Sequence, residues 1–319
     1  MKRQIKNTLG VLFILAIFSC EKESMTSSTS TSKSTSQLTD FFNSVKPENQ
    51  TFSITAGQYK TIMGAKGTKI SFLPNSFKKK NGTIVTSGTV NIVLQEMLVG
   101  GDMILANKTT TSNGKLLISG GQFYIKAYQD NEELLINKEA KPTVSIPAKT
   151  NQPMSLFIGT VTANDSISGD STINWNTDTT TVTTVQDTAS SSLYYNFTLD
   201  SMTYINCDYF MNSSATLTDV QVVMPNTSFV DSNTAVFIYF PSTNAVARMY
   251  TFTKSTKTFN LGTYYRLPEG FNVKIVIVSK IGSQMYFEVL NKTIVTNLSV
   301  NANPTPSTLS AIKTAISTL

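Results

Sequence analysis

The chain of 319 residues has 26 basic and 20 acidic side chains, a formal net charge of +6 and no histidine. The lack of histidine excludes the Ser-His-Asp and Cys-His arrangements of nucleophilic catalysis and removes the commonest zinc ligand. The basic residues are scattered, which argues against a nucleic-acid partner. Carboxylates could still act in pairs, but no spacing marks two of them as partners. We therefore expect no enzyme activity, no cofactor and no metal site.

The first 19 residues have the layout of a secretion signal. Lys2, Arg3 and Lys6 form a basic start, and residues 9–18 form an apolar run. This run is too short to span a bilayer, for which about 20 residues are needed. Loss of residues 1–19 would remove three basic side chains and lower the formal charge from +6 to +3.

Cys20 follows this apolar run directly and is one of two cysteines in the chain. An aliphatic residue followed by Phe18, Ser19 and Cys20 resembles the lipobox of bacterial lipoproteins. The resemblance implies cleavage before Cys20 and acylation of its sulfur. Each lipid methylene that enters a bilayer contributes about 0.8 kcal/mol, so two or more acyl chains hold a protein stably on a membrane. Two alternatives remain open: Cys20 lies beside a cut made elsewhere, or it pairs with Cys207.

A polar segment, residues 20–36, comes after the predicted signal, and residues 24–36 are nearly all Ser and Thr. Such a composition buries too little apolar area to offset chain ordering, so we expect a solvated tether. Residues 21–23, Glu-Lys-Glu, resemble the export signals of some Gram-negative outer-membrane lipoproteins, and a plain tether explains them nearly as well. We expect an outer-membrane protein anchored by acyl chains such as palmitate, with surface exposure as a further expectation.

Apolar residues alternate or run continuously over strand lengths along the remaining chain. The predicted strands cover residues 51–54, 69–73, 89–94, 122–128, 194–199, 216–224, 235–240, 271–279 and 284–290. Turn signals lie at Asn81-Gly82, Asn113-Gly114 and Gly120-Gly121, and residues 280–283 predict a hairpin turn. Short strands at this spacing predict an all-β fold of the sandwich or barrel type.

Two short helices are predicted, one near each end of this region. Residues 36–45 have apolar side chains at three- and four-residue intervals, which predicts a helix packed under the first sheet. Residues 304–319 predict a helix after two prolines, with Ser307 as its N-cap. Core packing is the favoured use of both apolar faces, and partner docking is the alternative.

A polar stretch in the middle of the chain predicts two β domains. Thr, Ser, Asp and Asn dominate residues 162–192, and Ile173 and Trp175 are the main large apolar residues. We interpret residues 173–175 as a short strand or anchor that docks this linker through burial of the Trp175 side chain. The predicted organisation is a signal peptide (1–19), a tether (20–36), a first β-sandwich domain (37–161), the linker (162–192), a second β domain (193–303) and a C-terminal helix (304–319).

Glycine, strand and cysteine motifs lie in residues 64–77, 82, 88, 90–92, 102–106, 109–111, 114–117, 120–125 and 204–210. The first of these stretches resemble the β-sandwich domain shared by ankyrins, netrin receptors and a tight-junction scaffold protein. The later stretches resemble a bacterial outer-membrane lipoprotein version of that domain. Tyr204 and Tyr209 stand where that version has Trp and Arg. The resemblance implies a structural or binding module.

Two clusters have both a structural and a functional interpretation. We interpret Cys207 as a small buried packing residue between Asn206 and Asp208, whose side chains hold a turn; a reactive or metal-binding thiol is the alternative. The three lysines at 78–80 are interpreted as part of a solvated turn, and a docking point for an acidic glycan or lipid head group is the alternative.

These features leave three classes of function. A non-catalytic surface module that binds protein, peptide or glycan fits the anchor, the tether and the missing histidines. A structural subunit of an outer-membrane assembly is the first alternative, which an exposed sheet edge or aromatic patch would favour. A carboxylate-dependent glycan hydrolase is the second. The expected partners are the membrane, through the N-terminal lipid, and a protein or glycan.

Overall fold

The computed structural model describes residues 36–161, 173–188, 190–212, 214–262 and 266–319. Antiparallel sheets dominate these residues and three α-helices accompany them, which confirms the predicted all-β fold. The predicted signal peptide, Cys20 and nearly all of the tether lie outside the described residues. None of the helices in the described ranges has the length and apolar composition needed to cross a membrane.

The helices are α1 (Ser36–Val45), α2 (Gly100–Leu105) and α3 (Leu309–Ser317), and a 3₁₀ turn covers Lys138–Ala140. The strands up to residue 210 are β1 (Gln50–Thr55), β2 (Lys60–Met63), β3 (Lys69–Phe72), β4 (Phe77–Lys78), β5 (Thr89–Met97), β6 (Thr111–Ser112), β7 (Lys115–Gln129), β8 (Glu132–Glu133), β9 (Leu135–Ile136), β10 (Thr143–Pro147), β11 (Ser155–Val161), β12 (Ile173–Thr181), β13 (Thr183–Gln186), β14 (Leu193–Thr198) and β15 (Tyr204–Phe210). The later strands are β16 (Leu217–Thr218), β17 (Val220–Val223), β18 (Thr234–Phe240), β19 (Ala245–Met249), β20 (Thr251–Thr253), β21 (Thr258–Asn260), β22 (Leu267–Pro268), β23 (Asn272–Ile281), β24 (Gln284–Thr293), β25 (Leu298–Asn301) and β26 (Thr305–Ser307).

The first sandwich is formed by sheets I and II. Sheet I has the order β1-β5-β7-β15-β11-β12, with β6 and β8 also paired to β7, and sheet II has the order β13-β14-β10-β3-β2. Alternate side chains of both sheets meet in one core, which includes Phe72, Phe123 and Ile205. Burial of every second residue explains why the strands alternate in polarity.

The second sandwich is formed by sheets III and IV. Sheet III has the order β19-β18-β23-β24-β26, sheet IV has the order β20-β21-β17-β25, and β16 and β22 form a small separate ribbon. Val222, Ile238 and Phe259 belong to the core between the sheets. The pairing of β17 with β25 is parallel, and the other strand pairs of this sandwich are antiparallel.

The three helices share a core mainly with the second face of sheet III, which is the face that points away from sheet IV. The first sandwich contributes only in part to this core. The rings of Phe42 in α1 and Phe237 in β18 lie edge to face, with centroids 6.1 Å apart. The prediction that α1 packs under the first sheet is therefore wrong in its main partner. All seven residues of β18 are buried, because a strand covered on both faces is apolar on both.

The pairing pattern moves the boundary between the two sandwiches. β12 and β15 pair with β11, and β13 pairs with β14, which in turn pairs with β10. Strands from 173 to 210 thus complete the first sandwich, and the change to the second falls after Phe210 rather than within 162–192. The described part of that stretch is polar because β12 and β13 are sheet-edge strands with exposed threonines, and threonine favours strands.

Local turn chemistry was predicted well at three positions and wrongly at one. Asn113 and Gly114 both adopt positive φ in the two-residue turn between β6 and β7, and the turns at Asn81-Gly82 and residues 280–283 are also present. The Gly120-Gly121 pair instead lies inside β7. The pairing of β7 with β15 shifts register between Asn206 and Asp208, so the glycines accommodate a bulge instead of ending the strand.

Candidate functional site

Cys207, the second cysteine, lies in the middle of β15 with its side chain in the core of the first sandwich. It is fully buried, and burial, followed by the neighbouring Asp208, raises the pKa of its thiol well above 9.0. A thiol with a raised pKa is a poor nucleophile and a poor metal ligand at neutral pH. The structure agrees with the interpretation of Cys207 as a packing residue, although it lies in a strand and not in a turn.

Asn206 and Asp208 project from the opposite face of β15 and are also fully buried. The side-chain amide of Asn206 donates to Asp208 Oδ2 at 2.5 Å, and Ser119 Oγ donates to Asn206 Oδ1 at 3.3 Å. Burial raises the pKa of the Asp208 carboxyl well above its ordinary value, and hydrogen bonds from Ser119, Asn206 and the Gly120 backbone oppose this effect. These side chains bond one another across the sheet rather than holding a turn.

The lysines at 78–80 flank a surface turn, and Lys79 Nζ lies 3.4 Å from Glu132 Oε2. Lys126 forms an ion pair with Glu133 in the same region. Two carboxylates of the acidic stretch 130–133 therefore neutralise the charge of nearby lysines through these ion pairs. Across the described ranges, no three His, Cys, Asp or Glu side chains gather into a group that could hold a metal ion.

A more promising surface lies on the side of sheet II that points away from the core, which we call the outer face. Its residues alternate with buried ones such as Ile70 and Val144. The strand register aligns two rows on this face. The hydroxyl row consists of Thr61, Ser71, Thr143 and Thr198, and the mixed row consists of Met63, Lys69, Ser145, Asn196 and Thr183. With neighbouring strands about 4.8 Å apart, the hydroxyl row is about 14 Å long.

The outer face leads into a cleft of about 520 Å³, which we call the threonine cleft. Thr143, Asn196 and Thr198 of the two rows line it, together with the threonines at 179–181 from the end of β12. The sheet I strand β12 passes its last residues toward sheet II, where β13 begins. Hydroxyl and amide groups therefore surround the cleft on more than one side.

Tyr59 lies at the other end of the hydroxyl row. Its side chain is 62% exposed, and its phenolic oxygen accepts a hydrogen bond from Thr61 Oγ1 at 3.2 Å. Thr61 and Ser71 are joined by a hydrogen bond of 2.8 Å. Hydrogen bonds from Ser71 and Thr61 lower the pKa of Tyr59. These bonds hold an exposed aromatic ring beside the row of hydroxyls.

The charged groups at the outer face are paired. Lys69 Nζ lies 3.9 Å from Asp187 Oδ2 and 4.6 Å from the centre of the Tyr194 ring. Lys141 Nζ lies 2.6 Å from Asp200 Oδ1 at the threonine cleft. Lys141 and Asp200 are the charged residues among those that line the cleft. The cleft thus carries no net charge, and a second carboxylate for glycoside hydrolysis is missing from its described lining.

The sequence did not predict the outer face, although several of its residues lie in strands that were predicted. Positions 69, 71, 194, 196 and 198 are the polar half of the alternation in two predicted strands. Alternation shows that one side of a strand is exposed, but it does not show which strands are neighbours. The hydroxyl row exists only because β2, β3, β10 and β14 pair in that register.

Comparison with known proteins gave no match: no family model fits this chain, and no curated protein matches it. A functional argument for this chain therefore starts from its N-terminal sequence and from the geometry of the outer face.

Proposed function

We propose that the protein is a lipid-anchored lipoprotein of the outer membrane that acts as a non-catalytic binding module. The outer face is the observation that carries this proposal. It combines an exposed tyrosine, a row of hydroxyls and a polar cleft of about 520 Å³ on one open sheet. Sites of this size suit ligands and short segments of larger partners.

The chemistry of the outer face supports binding without catalysis. Threonine, serine and asparagine donate and accept hydrogen bonds, but their side chains do not ionise near neutral pH. The charged side chains of the cleft, Lys141 and Asp200, neutralise each other at 2.6 Å. General acid and base catalysis needs a group whose pKa lies near the working pH, and the chain has no histidine to provide it.

The N-terminal sequence supports the anchor. Residues 1–19 resemble a signal peptide, Cys20 follows directly, and the Ser/Thr-rich tether separates Cys20 from the first helix. In the proposed arrangement, acyl chains on the Cys20 sulfur and amino group enter the membrane. The tether then lets the sandwiches reach a partner away from the lipid surface.

Replacement of Cys20 by serine tests the anchor. We expect Cys20→Ser to abolish incorporation of an alkyne-labelled palmitate analogue and to move the protein out of the detergent-soluble membrane fraction, since the acylated sulfur is lost. Cys207→Ser provides the matched control. Because Cys207 is buried, it should not carry the label, and Cys207→Ser should be labelled as fully as the natural protein. Labelling that survives Cys20→Ser would contradict the proposed anchor.

A second function is favoured by the free edge of sheet II. β2 is the last strand of that sheet, and Tyr59, Met63 and Leu73 around it are 62%, 62% and 42% exposed. An edge strand with exposed apolar side chains can pair with another chain. This arrangement would suit a structural subunit of an outer-membrane assembly.

Met63→Lys tests this second function, because a lysine on an edge strand opposes pairing with another chain. If the protein is an assembly subunit, we expect a stoichiometric partner to co-purify in mild detergent with the natural protein and to be lost from Met63→Lys. Thr55→Lys, an exposed substitution on β1, is the control. A partner retained equally by both variants, or no partner, argues against the structural subunit.

A further inference from the structure

We infer that the outer face of sheet II binds a neutral polysaccharide chain, which runs from Tyr59 along the hydroxyl row into the threonine cleft. This inference rests on the proposed binding function and deepens it by naming the class of ligand. Three independent properties of the outer face support it: its hydrogen-bonding groups, its exposed aromatic ring and its balance of charge.

The hydrogen-bonding groups suit a ligand that carries many hydroxyls. Each Thr or Ser hydroxyl provides one donor and two acceptor positions. Thr143 and Thr198 are exposed, so they can exchange water for a ligand hydroxyl without unfolding the strand. A sugar presents hydroxyls on adjacent carbons, each again a donor and an acceptor, and a row of such groups matches it unit by unit.

Tyr59 supplies the apolar contact that a sugar ring also needs. One face of many sugar rings consists of C–H groups, and such a face packs well on an aromatic ring. The bonds of its phenolic oxygen with Thr61 and Ser71 hold the Tyr59 ring close to the hydroxyl row, while 62% of the side chain stays exposed. The outer face therefore offers stacking and hydrogen bonding side by side.

The balance of charge favours a neutral ligand over an acidic one. Lys69 is paired with Asp187, and Lys141 is paired with Asp200. An anionic ligand would have to break one of these pairs, which leaves an unpaired carboxylate beside it. A neutral chain can bind the hydroxyls and leave both pairs intact.

The dimensions indicate an extended chain rather than a single sugar. The hydroxyl row is about 14 Å long by the usual spacing of strands, and it ends in a cleft of about 520 Å³. Both the row and the cleft are open to solvent, which leaves room for a long chain to enter from the side. Several sugar units would lie along the row, and the cleft would hold one end or a side branch.

The test is calorimetric titration of the detergent-extracted full-length lipoprotein with soluble polysaccharides. The neutral probes are mixed-linkage β-glucan, xylan, galactomannan and dextran, and alginate is the acidic comparison. Three variants test the contribution of the hydroxyls and of the aromatic ring to binding: Thr143→Val/Thr198→Val, Tyr59→Ala and Tyr59→Phe. Thr55→Val, an exposed strand threonine of sheet I, is the matched control.

We expect at least one neutral probe to bind and alginate to bind less tightly. Valine keeps the shape and strand preference of threonine, so Thr143→Val/Thr198→Val removes two hydroxyls with little effect on folding. Loss of two hydrogen bonds should weaken binding by about tenfold. Tyr59→Ala should weaken it by about threefold to tenfold. Tyr59→Phe keeps the stacking ring but loses the phenolic hydrogen bond that holds it beside the row, so it should bind more weakly than the natural protein and more tightly than Tyr59→Ala. Thr55→Val should bind within about twofold of the natural protein, because Thr55 lies on sheet I and not on the outer face.

Three outcomes would overturn the inference. The first is that no neutral probe binds, and the second is that both Thr143→Val/Thr198→Val and Tyr59→Ala bind as tightly as the natural protein. The third is that alginate binds best and the same variants weaken it; the proposed binding module would then stand, but its ligand would be acidic. Failure of the anchor is separate, because palmitate labelling at Cys20 measures it without any ligand.

Discussion

Asp208 shows how the fold controls the ionisation of a single residue. Its carboxyl is fully buried, and burial raises its pKa well above the ordinary 3.8. In the unfolded chain the same carboxyl loses its proton near 3.8. As pH rises above this value, the unfolded chain binds fewer protons at this position than the native protein does. Stability contributed by Asp208 is therefore complete below 3.8 and is lost as pH rises toward the folded-state pKa.

Asp208→Asn should remove this dependence on pH. We expect the variant to gain free energy of unfolding relative to the natural protein as pH rises above the ordinary range of a carboxyl group, because the natural protein alone must then bury a charge or keep a proton at this position. Urea denaturation at several pH values measures the difference. Ser53→Ala on the exposed side of β1 is a control that should give a constant difference. A constant difference for Asp208→Asn as well would show that its carboxyl ionises alike in both states.

At the residue scale, the sequence predicted which side chains are buried better than it predicted the secondary structure in which they lie. The interpretation of Cys207 as a packing residue needed only its apolar character and the lack of a nearby base, and the structure agrees with it. The turn at Asn206 and Asp208 was wrong, because the same residue types also occur where buried polar side chains bond each other. Which of the two applies depends on the sheet around them, and Ser119 lies 87 residues away in the chain.

At the scale of elements, α3 shows where a local signal is ambiguous. From the sequence, Ser307 is predicted as the N-cap, and the next residue, Thr308, is also of a type that caps helices. In the structure Ser307 is the last residue of β26, and Thr308 caps α3 by accepting a hydrogen bond from the Ala311 N–H at 3.2 Å. The short strand β26 tolerates Pro306 because it lies at the edge of sheet III, where a missing backbone N–H leaves no neighbouring strand unpaired. Pairing with β24 therefore delays the start of the helix by one residue.

This assignment predicts different effects for two neighbouring substitutions. Thr308→Ala should lower the free energy of unfolding by about 0.5–2 kcal/mol, because it removes an N-cap. Ser307→Ala should change it by less than about 0.5 kcal/mol, since the Ser307 side chain does not cap the helix. Thermal and chemical denaturation of both variants measure the effects. The reverse order would place the cap at Ser307.

Also at this scale, strand positions were predicted far better than strand partners. Eight of the nine predicted strands are present, since each has its own alternation or apolar run. The ninth, residues 216–224, forms two short strands instead, β16 and β17, which belong to different sheets. Residues 173–175 were predicted as a short strand or anchor, and β12 begins there. The rest of β12 and all of β13 were taken as linker, because edge strands have little apolar surface to reveal them. The main packing partner of α1 was missed because the apolar face of a helix can pack on any apolar surface. Only the structure shows that the second face of sheet III is buried and that α1 packs on it.

At the scale of the whole molecule, two sandwiches and a helical layer form one unit over residues 32–319. α2 lies between β5 and β6 of the first sandwich and contributes to the same core as α1, α3 and sheet III. The outer face of sheet II lies on the side of the first sandwich away from its core.

The proposed membrane location depends on the acyl anchor at Cys20, and the intact mass of the detergent-extracted protein tests this anchor most directly. We predict a chain that begins at Cys20 and carries the added mass of fatty acyl chains, with the modified fragment located at that residue by tandem mass spectrometry. A chain that begins elsewhere, or one that begins at Cys20 with a free thiol, would contradict the account.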